Sequence, residues 1–70
     1  MTNSPIKRCV ICFDVKGKAY KYRKVTSLYK LHLYMLKHNI QITAYNVYNR
    51  DTNHFIKQYR PTGYLPFYFD

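Results

Sequence analysis

Thr26-Ser27-Leu28-Tyr29-Lys30-Leu31-His32-Leu33-Tyr34-Met35-Leu36-Lys37-His38-Asn39 is the stretch that decides the fold. Leu28, Leu31, Met35 and Leu36 recur at helical spacing, which predicts a helix over residues 27–39. Thr26 or Ser27 can cap its N-terminus by accepting an orphan backbone N–H. Lys30 and Lys37 mark the wet side. Lys37 and His38 place positive charge in the last turn, at the negative end of the helix dipole. Asn39 suits the left-handed residue that ends a helix.

The segments on either side read as β structure. Residues 6–25 form a hairpin, with Ile6 to Val15 rich in β-branched and aromatic residues. Lys16-Gly17 is taken as a two-residue turn, with Gly17 supplying positive φ, and Ala19 to Val25 return. That turn sets Phe13 opposite Tyr20 and Ile11 opposite Tyr22. Cys9, Ile11, Phe13 and Val15 then share the apolar face with Tyr20 and Tyr22. Arg8, Val10, Cys12, Lys21 and Arg23 fall on the other. Period-two geometry makes this sorting depend on register, and a one-residue slip reverses it.

Residues 40–60 read as a second hairpin that turns at Arg50-Asp51-Thr52-Asn53, where Asn tolerates positive φ. Ile40, Ile42, Ala44 and Tyr48 alternate on its apolar face, rejoined by Phe55 and Tyr59. Thr43, Tyr45, Val47, Gln58 and Arg60 lie opposite. A helix over residues 42–58, giving a helix-turn-helix, is opposed by the Asn-Arg-Asp-Thr-Asn stretch and the β-branched, aromatic composition. The expected fold class is α+β: a small β-β-α-β-β domain, one helix packed on one face of a four-stranded antiparallel sheet. The chain of 70 residues is read as one domain, 1–70, with a flexible leader over 1–5 and an aromatic tail over 61–70.

Charge points to function. Lys and Arg total 12 against three acids, a net charge of +9, and self-repulsion of that kind is relieved by a polyanion. Lys16, Lys18, Lys21, Arg23 and Lys24 crowd the first hairpin, interleaved with Tyr20 and Tyr22. Flexible cations hold phosphates and flat rings stack on unpaired bases. The uncovered sheet face is expected to present Arg8, Lys21, Arg23, Tyr45 and Arg60. That is the mechanism of sheet-based single-strand binders, although no RNA-recognition signature is present. Tyr45 is the expected stacking residue, while Tyr20 and Tyr22 fall on the buried face. DNA and RNA are both expected partners.

The enzyme reading is weak. With Asp14, Asp51 and Asp70 as the acids, paired-carboxylate chemistry has almost nothing to draw on, and two glycines give no phosphate-cradling loop. No catalytic residue, cofactor or metal is assigned. Cys9-Val10-Ile11-Cys12 with His32 and His38 has a zinc-finger flavour, but 19 residues separate Cys12 from His32, where a finger has about twelve. Cysteines three apart on a strand point to opposite faces, and two packed thiols are expected instead.

No apolar run approaches a membrane span, and Met1 to Pro5 lacks signal-peptide character, so the expected location is the cytosol. The alternative to nucleic acid is an acidic host protein surface. By size and style the chain is like the accessory proteins of phages and mobile elements that inhibit a host enzyme or defence complex. Tyr64, Phe67, Tyr68 and Phe69 would then be the anchors, or would extend the small core instead. A strand added to a sheet edge would give a homodimer.

Overall fold

The structure, a computed structural model, describes residues 6–69; the expected leader over residues 1–5 lies outside the described residues. Strands β1 (Arg8–Asp14) and β2 (Ala19–Val25) precede helix α1 (Leu28–Lys37), and β3 (Ile42–Tyr48) and β4 (Phe55–Tyr59) follow it. The four strands form one antiparallel sheet in the order β2-β1-β3-β4, leaving β2 and β4 as edges. This is the expected α+β architecture.

The helix begins where Ser27 Oγ accepts from Lys30 N–H at 3.2 Å. It ends in a Schellman motif. Asn39 takes φ 58°, its N–H donates to Leu36 O at 3.1 Å, and Ile40 N–H donates to Met35 O at 2.8 Å. Leu28, Leu31 and Met35 face the sheet and join Val10, Cys12, Tyr45 and Val47 in the core. Leu36 departs from its expected place, being 52% exposed. It lies one position past Met35, and the narrow sheet reaches no farther round the helix.

The register of the first hairpin differs by one residue from the sequence expectation. Its loop is Val15-Lys16-Gly17, so Phe13 faces Ala19, Cys12 faces Tyr20 and Val10 faces Tyr22. The reason is Asp14. Its carboxylate accepts from Lys16 N–H at 2.9 Å and Lys18 N–H at 2.8 Å, and its main chain exchanges bonds with Gly17 and Lys18. Gly17 at φ 84° then gives the left-handed step of a three-residue hairpin.

The slip turns β1 over. Val10 and Cys12 lie under the helix, Ile11 and Phe13 face the other way, and Val15 is exposed. Tyr20 and Tyr22 still pack against the core, as expected.

β3 is also inverted. Tyr45 and Val47 face the helix, while Ala44 and Tyr48 lie on the far side with Phe13 and Cys9. Ile42 still reaches the core because Thr43 is an extra residue at a bulge, its hydroxyl on Phe13 O at 3.1 Å. The second turn is where the sequence puts it: Asn49 Oδ1 accepts from Asp51 and Thr52 N–H, and Asn53 takes φ 62°.

The tail folds back. Pro66 O accepts from Leu28 N–H at 3.1 Å and Tyr29 N–H at 3.3 Å, covering two orphan donors of the first helical turn. Phe69 is buried in the core and bridges Ile6.

Candidate nucleic-acid interface

The sequence-expected cations divide between two surfaces. β2 is an edge strand, so its outward backbone groups have no strand partner among the described residues. Lys21, Arg23 and Lys24 project from it, all exposed. Arg23 and Lys24 sit at a bulge, where β2 carries one residue more than β1 between the Val10–Tyr22 and Arg8–Val25 pairs. A bulge twists the edge and splays successive side chains. Lys16 and Lys18 extend the row from the loop end, with Lys18 Nζ 5.3 Å from the Tyr20 ring centre.

Between this edge and α1 runs a groove of about 640 Å³. Val25 and Leu31 form its floor, and Tyr22 and Tyr34 flank it. Its cations are Lys21, Arg23, Lys24 and the helix residue Lys30, and no carboxylate among the described residues lines it. Lys30 and Tyr34 are four apart on the helix and therefore share one side of it. Tyr34 is 49% exposed, and its ring lies 4.4 Å from the His38 ring centre. Neither Lys30 nor Tyr34 was a sequence-derived site residue. Their i, i+4 spacing was visible, but that β2 lies beside them was not.

Alternation along β2 turns Lys21 and Arg23 toward the sheet face opposite the helix, so at this edge strand they border that face as well as the groove. Lys21, Ile11, Asn46 and Gln58 form one row across it, and Cys9, Tyr48 and Phe55 part of the next. Gln58 Nε2 donates to Asn46 Oδ1 at 2.8 Å, and Arg60 donates to Gln58 Oε1 at 3.4 Å. Tyr48 and Phe55 meet edge to face at 5.5 Å, with Phe55 56% exposed. Arg60 therefore lies on the uncovered face as expected, while Lys21 and Arg23 stand at the β2 edge between that face and the groove.

Arg8 and Tyr45 do not lie on that face. Arg8 pairs with Val25 and so lies on the helix side, by the same register slip that moved Val10. Tyr45 is 0% exposed, and its hydroxyl meets His32 Nδ1 at 2.8 Å. Burial raises its pKa and keeps the phenol neutral. A ring so enclosed has no face to offer a base.

Of the tail aromatics, Tyr64, Phe67 and Tyr68 are exposed and Phe69 is not. Phe69 therefore falls out of the anchor set, because the fold uses it as core. Phe67 lies 4.8 Å from Tyr29, ring to ring.

Cys9 and Cys12 are buried free thiols on opposite faces of β1. Burial pushes the Cys12 thiol up to about 11, and its sulfur donates to Tyr20 O at 3.5 Å. Among the described residues no three His, Cys, Asp or Glu side chains come together in a way that holds a metal ion. Nor, among them, is any helix long and apolar enough to cross a membrane. Comparisons with protein-family models, curated proteins and solved structures find no match for this chain.

Proposed function

We propose that this domain binds nucleic acid through the cationic edge formed by β2, the loop before it and α1. The observation that carries the reading is the concentration of Lys21, Arg23, Lys24 and Lys30 around one groove with no carboxylate among its described lining residues. Lys16 and Lys18 continue that row beyond the groove. A charge of +9 on 70 residues disfavours the compact state, and phosphates at this edge relieve the repulsion while releasing counterions. The role is binding, not catalysis.

Affinity for a labelled oligonucleotide, followed by fluorescence anisotropy, should fall linearly with salt on a double logarithmic plot. Alanine at Lys21, Arg23, Lys24 or Lys30 should each flatten the slope by about 0.7 to 0.9 for every phosphate no longer neutralised. No binding of either single or double strands at low ionic strength would defeat the proposal.

A second reading has its own support. Tyr29, Leu33 and Leu36 on the outer side of α1 are exposed, and the exposed Phe67 packs against Tyr29 with its ring tilted. Exposed aromatic and aliphatic groups of this kind suit a protein partner, such as an acidic host surface that the domain blocks. Salt-resistant co-purification with one host protein, abolished by Phe67→Ser, would favour this reading over nucleic acid.

A further inference from the structure

We infer that the groove between β2 and α1 takes single-stranded nucleic acid, with a base seated against Tyr34 and its flanking phosphates on Arg23, Lys24 and Lys30. This rests on the nucleic-acid reading above and specifies its substrate.

The shape of the groove favours a single strand. A duplex presents a convex, charged surface, which cations standing on a ridge would satisfy. Here the cations stand around a hollow of about 640 Å³ whose floor is apolar, made by Val25 and Leu31. An apolar floor contributes nothing to a phosphate. It suits the flat, weakly polar face of an unpaired base, which must leave water on both sides to gain from stacking.

Tyr34 is placed for that role. Half of it is exposed, and its packing on His38 limits how its ring can turn. Across the groove Tyr22 is partly buried and its phenol pKa is raised, by burial first and then by neighbours that include Tyr34. Tyr22 therefore stays neutral and offers a hydroxyl to a base edge. The outward backbone groups of β2 offer further donors and acceptors along the same wall.

The sheet's uncovered face is the competing location, and it is less suited. Its exposed aromatic pair, Tyr48 and Phe55, lies on β3 and β4, whereas Lys21 and Arg23 are on β2 at the opposite edge. Ile11 and Cys9 of β1 lie between the two sets. In the groove, ring and cations border the same hollow.

The test uses the unmodified protein first. A 12-nucleotide oligouridylate carrying 4-thiouridine is photocrosslinked to it, and the adduct is mapped by mass spectrometry. Crosslinks should fall on Tyr34 or Tyr22; crosslinks confined to Tyr48 or Phe55 would overturn the inference. Anisotropy then compares the same oligouridylate with an RNA duplex of equal length in the same salt. The single strand should bind at least about tenfold more tightly. Tyr34→Ala should weaken it by about fivefold or more, the scale of one missing stack. Tyr34→Phe, which keeps the ring, should stay within about twofold of the parent. Duplex binding should be the same in all three proteins. Equal affinity for single strand and duplex, or an unaffected Tyr34→Ala, would overturn the groove assignment while leaving nucleic-acid binding in place. Failure of both oligonucleotides to bind would remove both.

Discussion

Tyr45 marks the limit of reading single residues from sequence. Alternation places it on the face opposite Ala44, but alternation alone does not say which of the two faces lies under the helix. A tyrosine near threonine and asparagine looks like surface. In the structure its ring fills the core and its hydroxyl is engaged with His32. Tyr45→Phe keeps the ring and leaves His32 without that partner, and should cost about 1 to 2 kcal/mol in urea unfolding. Tyr45→Ala opens a cavity and should cost about 3 to 5 kcal/mol. Oligonucleotide affinity of the folded Phe variant should equal that of the parent, since Tyr45 has no surface to give. A tenfold loss of affinity there would place it back in the interface.

At the scale of elements, three boundaries with a chemical reason were legible. Ser27 as cap, Asn39 as the left-handed stop and Asn53 in the second turn all stand where side-chain chemistry puts them. The faces of the strands were not, because local irregularities add residues. The Asp14 side chain holds a longer loop than Lys16-Gly17 alone suggests, and Thr43 and Ile56 each interrupt their strands.

Asp14 also gives the first hairpin a pH dependence. Hydrogen bonds from the Lys18 backbone, then from Lys16 and Tyr20, lower its pKa below the ordinary carboxylate value, against a smaller opposing effect of desolvation. A carboxyl depressed on folding adds stability above its unfolded pKa, and that stability is lost as pH falls through the folded value. The melting temperature of the parent should therefore drop more steeply below about pH 4 than that of Asp14→Asn, which keeps an acceptor but has no charge to lose. Parallel curves for the two proteins would show that Asp14 contributes no such linkage.

Over the whole molecule, the position of the candidate site was half visible. The run from Lys16 to Lys24 announces a cationic segment in the sequence. Its meaning as one wall of a groove requires the helix docked beside β2, and that docking is set by the core and by the tail. Pro66 and Phe69 tie residues 61–69 to the start of α1 and to Ile6. Phe69→Ala should cost about 3 to 5 kcal/mol, as deletion of a buried ring does, whereas Tyr68→Ala at an exposed position should change stability by less than about 0.5 kcal/mol. Equal effects of the two substitutions, compared by thermal and urea unfolding, would show that the tail does not close the core.

The Ile6–Phe69 bridge has a topological consequence. Two segments from opposite ends of the described chain lie side by side as antiparallel neighbours, so the described fold is nearly a ring. The sheet and helix do not depend on where that ring is cut, provided the cut avoids a strand or a cap. The exposed stretch from Asp51 to Asn53 is such a place. A circular permutant opened there, with residues 6 and 69 joined through a short linker, keeps the hairpin from Lys16 to Lys24 in the middle of its chain. Both new ends would then lie at the rim between β3 and β4, at the opposite side of the sheet from the β2 groove.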